Sequence, residues 1–413
     1  MRNVLSSIAK RRVLAAALAI ALTGGSAAAQ TPDSSPPADS RGNEIQQEQA
    51  AKAAAQHAYV PNIAERTFLS IEDHGGFGAV RPLSPAFVGI KAGSGLALGV
   101  ASGRQFSEGD VLQATAAYSI RNYKMVEGAY RSRPLAGDRL SFSGRVRWQD
   151  ATAVAFYGLG PATPHTRADY RERKTEASVQ ARLDPVRFIE LTGGTGYEHF
   201  NIGPGTSNRS SVGELFTPVQ APGLEADPTF LHSVVSAAFD TRASPGYSRS
   251  GTLLRGLFHD YRDRNGGPYS FQAREAIAQQ LVPILHGNWV LDFEAHLWTT
   301  KGVGGDTVPY FLMPTLGGGT FLRGFGNYRF RDRNALLLTG EYRWYVQEYV
   351  DGVIFYDAGK VAPTLGGIDL SGLEHDYGAG VNFHSTVSTV LRIQVARSRE
   401  GTRLILGFSP PAF

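Results

Sequence analysis

Three groups of side chains in this sequence have types and spacing suited to chemistry. Asp292, Glu294 and His296 alternate at a spacing of two, which puts them on one face of a strand. Such a set suits metal ligation or acid–base work. No further inward histidine can be matched to them from sequence, so they read as the polar lining of a wet lumen. The second group is Gly246-Tyr247-Ser248-Arg249-Ser250-Gly251. It lacks the G-x-S-x-G spacing that exposes a nucleophilic serine at a strand–helix turn. The third is a set of polar residues around a glycine-rich segment: Arg323, Thr339, Glu341, Arg343, Asp351 and Asp357. The glycine runs at 193–196 and 317–319 lack a P-loop lysine and a strand–helix context. The chain has no Cys, which removes thiolate zinc sites and any disulfide framework. No catalytic pair assembles, so the expectation is a non-enzyme with no cofactor and no metal.

The elements that must position these residues are strands. In Arg139–Gln149 the even positions Leu140, Phe142, Gly144, Val146 and Trp148 alternate with polar residues. In Trp289–Leu297 the odd positions are apolar or aromatic, with Asp292, Glu294 and His296 between them. Leu391, Ile393 and Val395, then Leu404, Leu406 and Phe408, repeat the pattern. A period of two means one apolar and one polar face. A soluble sandwich alternates too, but three features favour a transmembrane antiparallel β-barrel. The strands are long enough for a tilted bilayer crossing. Their polar faces cluster Arg, Glu, Gln and His, as a wet lumen requires. Aromatics sit near strand ends, as at Trp148, Trp289, Trp298, Trp344 and Tyr345, where interface girdles lie.

The expected all-β fold has about sixteen strands, over residues 95–105, 109–121, 124–133, 138–149, 151–158, 169–183, 187–199, 229–241, 249–262, 269–284, 288–301, 333–347, 350–358, 375–385, 388–399 and 402–412. The second and third strands are alternatively one long strand, and Ala86–Ala92 is a candidate extra one. Leu159–Ala168, Phe200–Pro228, Gly302–Asp332 and Gly359–Glu374 are long connections on one side. Short ones, including Asp150, Asp184–Val186, Leu285–Gly287, Glu348–Tyr349 and Thr386–Val387, fall on the other. Long outer loops and short periplasmic turns are the outer-membrane pattern.

Thr315–Trp344 reads TLGGGTFLRGFGNYRFRDRNALLLTGEYRW. In the strand that follows the loop, Leu336, Leu338, Tyr342, Trp344 and Val346 point outward. Thr339, Glu341 and Arg343 then face the lumen, and Asp357 shares the parity of Asp351 on the next strand. Two lumenal carboxylates on adjacent strands need a cation. A guanidinium carried inward supplies a fork of donors, and Arg323 is the natural candidate. Gly317, Gly318, Gly319 and Gly324 let the loop fold back into the bore. This bracing role is the plainer reading. A part in gating is compatible with it, because a pinned loop can be released.

These residues resemble the Omp85 superfamily, the bacterial surface antigen D15 barrels that include outer-membrane assembly factors. The quartet Leu322-Arg323-Gly324-Phe325 resembles that family's [V/L]-R-G-[F/Y] motif on extracellular loop 6. Val353–Gly359 (VIFYDAG) resembles the F-x-D-x-G signature of the following strand. Phe156–Pro161 (FYGLGP), followed by Tyr170, resembles a pattern of short, barrel-only members. The resemblance covers roughly residues 85–413 and concentrates in 311–361. It implies that loop 6 folds into the lumen and that Arg323 pairs with Glu341 and Asp357.

The sequence departs from that family in two places. Most members carry periplasmic POTRA domains before the barrel. Residues 30–84 show no β-α-α-β-β pattern and read as a linker, with a short polar helix over Asn43–His57 as a candidate lumen plug. Without POTRA domains, capture of a client strand by edge pairing lacks its usual platform. At the other end Phe413 matches the terminal aromatic of outer-membrane barrels, but Pro410-Pro411 interrupts the last strand and weakens first-to-last-strand closure.

Met1–Ala29 reads as a cleaved signal peptide: a basic stretch to Arg12, the apolar run Val13–Leu22, and Ala27-Ala28-Ala29 before the cut. The formal charge of +4 is confined to it. Without its four basic residues the chain has 37 basic and 37 acidic side chains, so nucleic acid is not an expected partner. The expected location is the bacterial outer membrane. The expected partners are outer-membrane lipids and lipopolysaccharide, the host barrel-assembly machinery for the chain's own insertion, and an unnamed client protein or lipid. The function implied by the resemblance is insertion or movement of protein or lipid at a weak first/last-strand seam. A passive channel and a structural surface antigen are the alternatives.

Overall fold

The structure is a computed structural model that describes residues 82–106, 109–285, 288–385 and 388–408. The leader, the 43–57 segment, Pro410-Pro411 and Phe413 lie outside the described residues.

Among the described residues, sixteen antiparallel strands follow one another in sequence order around the wall. They are β1 (Ser84–Phe87), β2 (Ala97–Phe106), β3 (Asp110–Ser119), β4 (Lys124–Arg131), β5 (Leu140–Phe156), β6 (Ala168–Val186), β7 (Ile189–Pro204) and β8 (Thr229–Asp240), then β9 (Gly251–Asp263), β10 (Phe271–Ile284), β11 (Trp289–Gly302), β12 (Asn334–Gln347), β13 (Val350–Ala362), β14 (Glu374–His384), β15 (Thr389–Ser398) and β16 (Gly401–Phe408). The alternation in sequence becomes an outward apolar surface. Val146 is 61% exposed and Leu404 64%, and Leu98, Val179, Val235, Phe293 and Ile354 join them on the outer wall. An apolar outside with a polar inside is the surface of a transmembrane barrel.

The expected count of sixteen holds, but its make-up changes. Residues 138–149 and 151–158 are not two strands. They are the single 17-residue β5, and Asp150 is a mid-strand residue bonded to Arg171. The missing strand is β1 (Ser84–Phe87), which starts two residues before the candidate extra segment Ala86–Ala92 and overlaps it only at Ala86 and Phe87. The second and third expected strands are separate. The break read at Asp150 has a physical origin. A bulge between Ala151 and Val154 inserts one residue against β6. A bulge flips the parity of everything beyond it. Phe142, Val146 and Trp148 face out, while Val154 and Phe156, also at even positions, face in and are fully buried.

A second correction concerns the lumen. It is polar in its middle, but its outer end is dry. Tyr123, Phe156, Tyr170, Phe200, Phe230, Phe271, Tyr310 and Phe311 are all buried in one cluster. Their rings meet at centroid distances such as 4.9 Å (Phe156–Tyr310), 5.0 Å (Tyr170–Tyr310) and 5.5 Å (Phe200–Phe311). The connection between β7 and β8 adds Val212 and Ala221 from above. Each such side chain removed from water contributes roughly 1.5–3 kcal/mol. Trp298 is also inward, stacked on His296 at 3.4 Å, and does not belong to an interface girdle.

Candidate functional site: loop 6 inside the bore

The connection 303–333 between β11 and β12 is the sixth on the long-loop side, so it is loop 6 of this barrel. It does not project outward. A two-residue ladder, Thr315–Leu316 with Phe330–Arg331, closes its neck. Leu316, Leu322, Phe325 and Phe330 then pack with Ala335, Leu337 and Val361 of β12 and β13. The loop therefore has its own apolar anchor on the wall. Gly317 (φ 105°) and Gly318 (φ 120°) take left-handed backbone at the neck. A Cβ on Gly317 would sit 2.3 Å from the carbonyl oxygen of Gly326. Gly319 does not share that conformation, so the hinge need applies to two of the three glycines.

Arg323 is 5% exposed, at the centre of this arrangement. Its Nε and Nη2 donate to the two oxygens of Asp357 at 2.8 and 2.9 Å. Its Nη1 donates to Glu341 at 3.0 Å and to Gln394 of β15 at 3.2 Å. The guanidinium plane lies over the Phe355 ring, 3.4 Å from its centroid. The fork-on-carboxylate geometry is the one that lysine cannot supply. Thr339 donates to Asp357 at 3.0 Å and fixes the carboxylate. Asp376 stands directly opposite Asp357 on β14 and is fully buried. Two carboxylates thus grip one guanidinium, and a third, Asp376, lies across the ladder from Asp357.

Gly324 makes this approach possible. A Cβ there would meet the Asp376 Cβ at 2.6 Å and the Ser398 Cβ at 3.0 Å. The carbonyl of Gly324 also accepts from the Ser398 hydroxyl at 2.9 Å. The structure therefore brings Leu322, Arg323, Gly324, Phe325, Glu341 and Asp357 into one site.

Two further arginines were not singled out in sequence. Arg329 is 2% exposed. It donates to Glu400 in the β15–β16 turn at 2.6 Å, and to the hydroxyl and carbonyl of Thr163 between β5 and β6. Arg331 is 1% exposed and donates to the Tyr310 carbonyl at 2.7 Å, among the rings of Phe156, Tyr170, Tyr310 and Tyr328. Gly160 forms a β-bridge with Arg331. The Phe156–Pro161 segment with Tyr170 thus forms the receptor for the end of loop 6. Loop 6 ties strands from opposite parts of the wall to one another. The signal that could have found this is RFRDR itself, since charges so dense beside buried aromatics need an interior use.

The chemistry-bearing strand residues are taken up structurally. Asp292 accepts from Gln279 and lies 3.4 Å from Arg343. His296 meets Glu275 at 3.3 Å. His259 and His232 continue the row to Glu198, neighbours that sequence alone did not match to His296. Among the described residues no group of three His, Asp or Glu side chains is arranged to hold a metal ion.

No protein-family model matches the sequence, and no curated protein matches it. Solved structures do match. One is BamA from Haemophilus ducreyi lacking POTRA domains 1–3, at a TM-score of 0.58 and 15% identity, covering 78% of this chain and 68% of that one. Another is CdiB from Escherichia coli, at a TM-score of 0.52 and 13% identity, covering 80% of this chain and 60% of that one. The chain thus spans less than two thirds of CdiB. Likeness at this identity shows the fold alone: the chain has an antiparallel barrel fold like that of BamA.

Proposed function

We propose that the protein is an Omp85-type outer-membrane barrel that inserts or moves protein or lipid at the membrane, working at its wall and not through its bore. The observation that carries this reading is the seating of loop 6. A barrel whose outer end is filled by a dry aromatic cluster and a buried Arg323 site is built to be closed. That weighs against the passive channel. The first strand suits a weak seam: β1 has four residues, against 17 in β5 and 19 in β6. Short strands offer fewer ladder bonds and a thinner apolar band to the lipid. The leader would direct export and be cleaved, and lipids with lipopolysaccharide would surround the wall. The protein would carry out no catalysis of its own.

Deleting the gene and measuring the outer-membrane proteome and lipid asymmetry tests this reading. The expected outcome is selective loss of particular barrel proteins or a shift of lipid between leaflets, reversed by the intact gene. An unchanged envelope would overturn it and favour a structural surface role.

A further inference from the structure

The longest inner-side connection between described strands is the turn 241–250, from β8 to β9. It holds the Gly246–Gly251 stretch. A turn that only joined its two strands would stay beside them. This one reaches β13, β14 and the start of β15. From β9 to β14 is five strand positions, or about 24 Å along the wall at ~4.8 Å per strand.

The contact is specific. The Tyr247 hydroxyl donates to Asp351 Oδ2 at 2.8 Å. Arg249 Nη1 donates to Asp351 Oδ1 at 3.3 Å and to the Tyr247 oxygen at 2.5 Å. The Tyr247 ring stacks on the imidazole of His384, with centroids 3.8 Å apart and planes within 10°. Gly246 pairs with Ser388 as a parallel bridge, and its carbonyl accepts from the Thr389 amide at 3.1 Å. Arg343 donates to the Ser248 carbonyl at 3.2 Å.

Asp351 and Asp357 lie on the same strand and the same lumenal face, and each is 1% exposed. Six residues separate them, about 20 Å of β13. The outer carboxylate is held by Arg323 of loop 6, and the inner one by the turn 241–250. A buried carboxylate at each end, gripped by a segment arriving from elsewhere in the sequence, is more than register alone requires. We propose that β13 is clamped at both ends. Tyr247, Arg249 and Asp351 form an inner clasp that must release together with Arg323 before β13–β16 can move away from the bore. The inference rests on the barrel fold and its contacts, and it stands or falls apart from any client.

The test is hydrogen exchange on the purified full chain in lipid nanodiscs. Tyr247→Phe with Arg249→Gln is expected to raise exchange at the inner ends (350–354, 380–384 and 389–393) by about tenfold, because local opening free energy sets protection. The outer ends of the same strands should change little. Arg323→Gln should do the reverse. All three changes together should raise exchange at both ends beyond the product of the separate effects, the signature of coupled sites. Unchanged inner ends would overturn the clasp, and a simple product would overturn the two-point clamp. The chain has no cysteine, so Gly246→Cys with Ser388→Cys gives one defined disulfide at a bridge spacing (~4.8 Å) within the usual Cα range. Oxidised, it should restore inner-end protection in the Tyr247→Phe, Arg249→Gln background, and reduction should remove it. Failure to restore protection would also overturn the proposal.

Discussion

Arg323→Ala is expected to destabilise the barrel by about 3–5 kcal/mol, the cost of removing one partner from a buried ion pair. Asp357 and Asp376 are at most 1% exposed, and Glu341 shares the same guanidinium. Without it Asp357 and Glu341 lose their cation beside the buried Asp376. The fork, the bond to Gln394 and the contact over Phe355 go with it. Loop 6 then keeps its apolar anchor on β12 and β13, the Gly324–Ser398 hydrogen bond, the packing of Tyr310 and Phe311, and the staples made by Arg329 and Arg331. The measurement is the temperature at which the folded band is lost on unheated gels, with protease cleavage within 317–328 as a local readout. Where unfolding proves irreversible, the comparison is one of rates and apparent midpoints. Adding Asp357→Asn should recover part of the loss, since it removes one of the stranded charges. Wild-type behaviour of Arg323→Ala would mean that the pair has no bracing role.

Gly324→Ala is expected to mimic that loss while touching no charge. One methyl group would lie 2.6 Å from the Asp376 side chain, in a site closed by Ser398 on the other side. Neither neighbour is the end of a long flexible side chain. Overpacking of this kind costs roughly 1–3 kcal/mol. The displaced loop would also pull the Arg323 fork off Asp357, so the effect should reach the upper part of that range. Gly326→Ala is the control within the same loop, because its nearest neighbour is the Tyr157 hydroxyl at 3.3 Å. If Gly324→Ala and Gly326→Ala behave alike, close approach at Gly324 is not what seats the loop.

Much of the wall was legible because a strand's period of two is written directly into its residue types. Thr339, Glu341 and Arg343 on β12, and Asp351 and Asp357 on β13, follow from parity alone. What escaped has definite causes. The bulge at Ala151 reversed parity inside β5 and made one strand look like two. The aromatic cluster at the outer end draws on β5, β6, β7, β8, β10, two loops and the β3–β4 turn. No local pattern unites residues so far apart in sequence, and each alone looks like a girdle aromatic. Trp298 was misplaced for that reason. The contacts of Arg329 and Arg331 join residues more than 160 positions apart, at Thr163 and Tyr170. Tyr247 lay in a segment weighed only as a possible nucleophile turn. Its partner Asp351 is 104 positions away, and only the closing of the wall brings them together.

The proposed function requires a closed bore and a protein that works at its wall. The most direct measurement is ion conductance of the purified full chain in planar lipid bilayers, wild type beside the Arg323→Ala, Gly324→Ala double variant. No steady open pore is expected in the wild type, and conducting events should become frequent once loop 6 loses its seat. A stable, wide conductance in the wild type, unchanged in the variant, would contradict it and return the protein to the class of passive channels.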